Sequence, residues 1–166
     1  MKKQTARRIR IAGGLLFVIY LILLIYFLFF AESYGRGAAE EYRYNLVPFR
    51  EIQRYLLYPH ILGTYAVLTN LVGNVAGFLP FGAILPVLKR NMRSFWKVLL
   101  LRFEYSAVIE VTQLLTRVGS FDVDDLLLNT IGGVLGYIIF VICNTIRRWH
   151  DANRERKRAG ARKGKR

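Results

Sequence analysis

Cysteine and histidine are almost missing from this chain, which holds one Cys, Cys143, and two His, His60 and His150. One thiol cannot close a disulfide within a chain or assemble a thiolate metal site, so a disulfide framework and a cysteine-built zinc site are excluded. Cys143 sits in an apolar run and reads as a small hydrophobic residue. His60 follows Pro59 in a polar stretch and reads as a surface side chain rather than a ligand. No serine occupies a nucleophile elbow and the acids lack a two-metal spacing, so no recognised catalytic constellation is present. Acid is scarce too: 11 Asp and Glu stand against 25 Lys and Arg, a formal net charge of +14. Clustered cations can release counterions from nucleic-acid phosphates. Here the clusters flank apolar runs, where topology signals lie, so nucleic acid is not expected as a partner.

What the chain has is hydrocarbon. Hydrophobic residues make up 54% of its 166 positions and mean hydropathy is +0.27, as for a membrane protein rather than a soluble globule. A basic start carrying Lys2, Lys3, Arg7, Arg8 and Arg10 leads into an apolar run from Ile11 to Ala31, long enough for a bilayer that needs about 20 residues. Ala31 to Ser33 resembles the cleavage site of a secretory signal, but the run is longer than a signal core, which favours an uncleaved first span. Further spans are expected at about Ala66 to Leu88, Val98 to Thr116 and Asp125 to Ile146. Pro80 and Pro86 should kink or shorten the second. The expected fold is an all-α integral membrane protein with four transmembrane helices and an interfacial loop between the first and second. Its parts are the basic N-terminus with the first helix, 1–31; an external loop, 32–65, rich in headgroup-seeking tyrosines; a three-helix core, 66–146; and a basic tail, 147–166, expected to be disordered after a turn or two and to touch anionic lipid headgroups.

Most cations fall at the two ends and at Lys89, Arg90, Arg93 and Lys97, while Arg36, Arg43, Arg50, Arg54 and Arg117 lie on the opposite side. The positive-inside rule therefore places both termini in the cytoplasm of a multi-pass protein of the cell membrane.

The polar residues of the spans are one-sided. Asp122, Asp125, Asn129, Gly132, Gly133 and Gly136 share a helical arc of roughly 80°, and Asn70, Gly73, Asn74, Gly77 and Phe81 share another. Gly73-x-x-x-Gly77 and Gly132-x-x-x-Gly136 carry the spacing that lets membrane helices approach, so the second and fourth spans are expected to pack through these four glycines. Ser106, Glu110 and Gln113 line one face of the third span, and a carboxylate at Glu110, costing on the order of 3 kcal/mol in a bilayer, requires a partner or a wet cavity. Glu104 points elsewhere, and is expected either to pair with Arg102 or to be held neutral and protonated. In the derived topology Asn70, Asn74, Glu110, Gln113, Asp122, Asp125 and Asn129 converge near the outer surface as a polar cleft. Plain structural roles compete: Asp122, Asp124 and Asp125 suit a helix N-terminus, and the asparagines suit interhelical hydrogen bonds. Asp124 lies off the polar arc, so its replacement by Asn is expected to be mild.

The segments NLVPFREI, NLVGNVAGFLPFG, SAVIEVTQ and GSFDVDDLLLNTIGGVLGY together resemble the VanZ-like family of small bacterial membrane proteins, over roughly Asn45 to Tyr137. The family's typical elements correspond to Asn45, Pro48, Phe49, Asn70, Asn74, Pro80, Gly82, Glu110, Gln113, Asp122, Asp125, Asn129, Gly132 and Gly136. Glu104 and the long basic tail depart from the pattern. The resemblance implies a cell-envelope protein of a family named for a member that confers resistance to teicoplanin-type glycopeptides.

Two functional classes follow. The favoured one is a binding or envelope-modifying protein whose outward cleft holds a lipid, glycolipid or cell-wall-related ligand, with apolar walls for the acyl part and no cofactor. The other is a membrane enzyme acting on a lipid or phosphate headgroup, with Glu110 as base and Asp125 as acid, or with several acids holding Mg²⁺ or Ca²⁺.

Overall fold

The computed structural model describes residues 3–30 and 41–163; the small-residue stretch after the first span and the extreme C-terminus lie outside the described residues. Four long helices dominate. Helix α1 runs Lys3–Phe29, α5 Gly73–Leu88, α6 Phe95–Thr116 and α7 Val123–Lys163. Between α1 and α5 the chain forms a short strand β1 (Tyr44–Asn45) and three small helices, α2 (Arg50–Leu57), α3 (Pro59–Leu62) and α4 (Thr64–Val67). A π-helical turn, Leu68–Val72, joins α4 to α5, so Thr64–Leu88 is one continuous helical segment. Pro80 and Pro86 lie inside α5 without ending it, and the irregularity falls at the π turn instead. Strand β2 (Phe121–Asp122) pairs in parallel with β1, Tyr44 opposite Phe121 and Asn45 opposite Asp122, a small sheet absent from the all-α expectation.

Among the described residues three helical segments are long and apolar enough to cross a membrane: Arg10–Phe29, Thr64–Leu88 and Val123–Lys157. Helix α6 spans 22 residues, about 33 Å, but Lys97, Arg102, Glu104 and Glu110 dilute its apolar character, so the expected set of four apolar spans is reduced to three on composition. From Ile11 on, helix α1 is apolar all round. Among its described side chains it buries only Leu24 and Leu28, one turn apart, against Phe78 and Ile109, while Leu15, Leu16, Ile19, Ile22 and Leu23 stay exposed as hydrocarbon-facing residues do.

Helices α5 and α7 meet backbone to backbone. A Cβ at Gly132 or Gly136 would run into the carbonyls of Val75 and Leu79, and one at Gly82 into the backbone of Gly133. Gly73 and Gly77, expected at this seam, are elsewhere: a Cβ at Gly77 would make ordinary 3.9 Å contact with Leu24 of α1, and one at Gly73 would meet only Leu68 O at 3.9 Å. Gly82 and Gly133 take their place. Beside the seam Arg102 is fully buried, its guanidinium 4.2 Å from the ring centre of Phe81, 4.5 Å from Phe78 and 5.5 Å from Tyr105. A Cβ at Gly133 would lie 2.6 Å from Arg102 Cγ and Nε, so the glycine makes room for the arginine stem. Arg102 does not pair with Glu104. Positions i and i+2 of a helix point about 200° apart, which leaves Glu104 exposed while the Arg102 nitrogens have no hydrogen-bond partner among the described residues.

The tail expected to be disordered continues α7 as helix to Lys163. Forty-one residues of α-helix extend about 60 Å, twice the hydrocarbon thickness. The segment after Ile146 is rich in Arg, with Ala and Lys beside it, all strong helix formers, and it starts from a turn already nucleated by the apolar part, so the large initiation cost does not recur.

Candidate functional site

Helix α2 begins without a local cap. Phe49 occupies the N-cap position in the left-handed region, φ 66°, with no side-chain hydrogen bond to offer, leaving the amides that open α2 in search of acceptors. Asp124 supplies them from the first turn of α7: its carboxylate accepts from the N–H of Phe49, of Glu51 at 2.8 Å and of Ile52 at 3.2 Å. It is 1% exposed. The side chain expected to point idly off the polar arc is the cap of a distant helix, which corrects the expectation that Asp124→Asn is mild. Sequence reasoning sorted Asp124 by its own helix; the uncapped FRE start of α2 was the available signal.

Asp122 anchors the same junction. Its carboxylate accepts Asn45 Nδ2 at 3.1 Å and the Asp124 N–H at 2.8 Å, while its own N–H donates to Glu110 Oε2 at 3.0 Å. Asn45 also accepts the Val47 N–H at 3.2 Å, and Phe121 N–H donates to the Arg43 carbonyl at 3.0 Å. The segment 43–52 is thereby stitched onto the α6–α7 connection. Arg117, left-handed at φ 57°, ends α6 and lays its guanidinium 4.5 Å from the Tyr42 ring centre.

These stitches surround a cleft of ≈ 400 Å³, lined by Arg43, Glu51, Arg54, Tyr55, Asn70, Gln113, Asp122 and Asp125 among others. A second hollow, ≈ 510 Å³, runs along α1 and the α4–α5 segment between Leu24, Phe27, Leu28, Asn70, Gly73, Asn74 and Phe78, and is mostly apolar. Asn70 lines both. Its Nδ2 donates to Ala66 O at 2.8 Å, and it lies in the π turn, whose wider winding interrupts the regular helix where the hollows meet.

Of the residues expected to converge, Asn70, Gln113, Asp122 and Asp125 line the polar cleft. Asn74 lines the apolar hollow and donates from Nδ2 to Asp125 Oδ1. Gln113 also donates to the Leu28 carbonyl at 2.9 Å, tying α6 to α1. Glu110, 2% exposed, sits behind the cleft on the Asp122 amide rather than facing into it. Asn129 is a turn deeper, with its Nδ2 on Ser106 Oγ at 3.1 Å, and lines neither hollow. Arg43, Glu51, Arg54 and Tyr55 were not singled out as site residues; they come from the segment read as an interfacial loop.

Burial raises the Asp122 carboxyl above its ordinary 3.8, the Asp124 N–H and Asn45 amide oppose this, and the charges of Asp124 and Glu51 push it up further. Tyr55 is raised by burial first, then by Glu51, with Arg54 opposing and Asp125 and Asp122 adding to the rise. Among the described residues no group of three or more His, Cys, Asp and Glu is arranged to hold a metal ion.

A family model described as VanZ/LLP1 matches residues 17–144, which contain both hollows and the Asp122–Asp124 junction. Protein VanZ of Enterococcus faecium is 28% identical over 140 residues, covering 81% of this chain and 76% of that protein. No solved structure matches.

Proposed function

From the chain's membership of the VanZ/LLP1 family, we propose that it is a four-span protein of the bacterial cell membrane that binds a lipid, glycolipid or cell-wall-related amphiphile and thereby influences susceptibility to teicoplanin-type glycopeptides. The head of the ligand occupies the cleft around Asp122 and Asp125, and its acyl chain the hollow between α1 and α5. One observation carries the reading: Asn70 lines both the ≈ 400 Å³ polar cleft and the ≈ 510 Å³ apolar hollow, so a single molecule can satisfy the two at once. Both volumes lie within the usual range of ligand sites.

In this reading α6 is the fourth span. Its buried charges, Arg102 and Glu110, face other helices, and Val108, Val111 and Leu115 face outward. The termini are cytoplasmic by the positive-inside rule, the cleft opens outward, and the cations where α7 leaves the bilayer contact anionic headgroups. The rival acid–base enzyme is less well supported, because Glu110, its intended base, is turned to a backbone amide away from the cleft.

The test is mass spectrometry of amphiphiles that co-purify in mild detergent. Wild-type protein is expected to retain one, and Gly73→Phe, which fills the hollow, to lose it while eluting as a monodisperse species. Equal retention by both proteins, or none by the wild type after gentle extraction, would sink the proposal.

A further inference from the structure

We infer that two copies of this chain pair side by side in the bilayer along the outer face of α6, with Glu104 at the centre of the contact; this rests on the reading of α6 as the fourth span. At 100° per residue, Arg102, Gln113 and Ser106 fall within about 40° of one another on α6, and all three are buried. On the opposite side Leu100, Val111, Glu104, Leu115 and Val108 follow at intervals of about 20°, and all five are exposed. Glu104 takes the middle place. It is also central along the axis, about 14 Å from the start of α6 and about 18 Å from its end. A long Lys or Arg can snorkel from such depth, but a glutamate is too short to reach the headgroups. Lys97, the cation on the same side, is about 10 Å away along the axis, and Glu104 forms no ion pair among the described residues.

A carboxyl facing hydrocarbon is costly, and because it keeps its proton in low dielectric, what relieves it is a group that both donates and accepts. A second Glu104 is such a group. Copies inserted with one topology run parallel, and a two-fold axis along the membrane normal sets each residue of this face opposite its equivalent. The two carboxyls then exchange reciprocal O–H···O bonds, with Leu100 and Val111 packing on their counterparts to either side. Leu100, Glu104, Ala107 and Val111 are spaced by four, three and four residues, the seam of a left-handed helix pair, and Ala107 is small enough to let the backbones approach. One polar residue in such a seam sets its register. The exposed face of α1, with Leu15, Leu16 and Ile19, carries no such group, and lipid covers it as well as protein does.

The experiment uses full-length protein in vesicles of phosphatidylcholine and phosphatidylglycerol. Energy transfer between donor- and acceptor-labelled copies is followed as lipid is added. Wild type is expected to pair, Glu104→Gln to pair within about threefold of it because an amide also donates and accepts, and Glu104→Leu to need at least tenfold more protein per lipid. In a Cys143→Ser background, Leu100→Cys and Val111→Cys should form intermolecular disulfides with an oxidant, and Ile19→Cys on α1 should not. A wild type that stays monomeric at every dilution, as it would if a different protein's span covered Glu104, overturns the pairing. So does Glu104→Leu pairing as tightly as wild type, or disulfide formation as efficient at position 19 as at position 100. Phe103→Cys, exposed to one side of the seam, separates the two readings. Protection of this thiol from a membrane-impermeant maleimide on both sides, with monomeric protein, sinks the pairing and leaves α6 a span. Ready labelling in intact vesicles sinks the four-span reading and the pairing with it.

Discussion

At its first turn α7 meets its neighbours through hydrogen bonds around open volume; two turns on, it meets them through bare backbone. Asp122, Asp124 and Asp125 bond to Asn45, to the amides of α2 and to Asn74, and a cleft of ≈ 400 Å³ remains between the partners. Gly132, Gly133 and Gly136 press on Val75, Arg102 and Leu79 with no room for a methyl group. In a bilayer the hydrophobic effect does not drive helices together, so close van der Waals contact must, and glycine is the residue that permits it. A rigid seam below therefore supports a polar junction above, whose members are fixed by directed bonds and need not fill space.

The sharpest way to break this comparison is to add one methyl group in each kind of place. Gly82→Ala sets a Cβ against the Gly133 backbone, which cannot rotate aside, and should cost about 3 kcal/mol or more. Gly77→Ala meets only the Leu24 side chain at 3.9 Å and gains helix propensity, so it should be neutral or stabilising by up to ~1 kcal/mol. Thermal melts in detergent decide; similar losses in both variants would mean that α5 and α7 are not held by this seam.

At the polar junction the corresponding change is Asp124→Asn. It replaces one accepting oxygen by a donor facing amides that also donate, and it removes the negative charge at the start of α2. The expected loss is about 2 kcal/mol, read from thermal melts in detergent. A loss under about 0.5 kcal/mol would show that the amides of α2 find other acceptors and that Asp124 is not what caps them.

Arg102 tests the seam from the other side. Its cage of Phe78, Phe81 and Tyr105 offers cation–π attraction but no acceptor among the described residues, so the desolvation cost of the charge is only partly offset. Arg102→Met keeps the volume and should leave stability within ~1 kcal/mol or improve it, whereas Arg102→Ala opens a void and should lose about 3 kcal/mol. If both variants lose equally, the charge and not the bulk of Arg102 holds the cage.

The two regions also differ in how far sequence could reach. Helical periodicity states which residues share a face, and it grouped Gly132, Gly133 and Gly136 correctly. It does not state which neighbour that face meets, which is why Gly73 and Gly77 were assigned to a seam that Gly82 occupies. The clustering of Asn70, Asn74, Gln113, Asp122 and Asp125 was legible because polar residues in apolar spans are scarce and each span turns them to one side. Asp124 was not legible: its partners are main-chain amides 72 to 75 residues away, and a backbone donor leaves no mark in the composition. Nor was the inward turn of Arg102, since its aromatic cage spans two helices and an unpaired buried cation has no motif. The helical tail was misjudged because its charge was weighed and its helix propensity was not.

The smallest expected effect is a pH dependence confined to the polar junction. Because burial raises the Asp122 carboxyl above its ordinary 3.8, folding favours the protonated form. The stabilisation is fully present below about pH 4 and is lost as pH rises through the folded-state value. Relative to Asp122→Asn, wild-type protein should therefore melt at progressively lower temperature as the buffer goes from about pH 4 to about pH 7. In the variant the side-chain oxygen can still accept the Asp124 N–H and the Asn45 amide, so the two proteins differ at this position mainly in charge. The drift should be smaller than the shift from any destabilising substitution above, since the two donors stabilise the carboxylate and oppose the burial that destabilises it. Carboxylates that do not interact with Asp122 titrate in both proteins and cancel in the difference, whereas Asp124 and Glu51, whose charges act on it, contribute to it. Parallel melting curves across the range would show that Asp122 is solvated well enough to ionise normally, and a difference of opposite sign would show that its hydrogen bonds outweigh its burial.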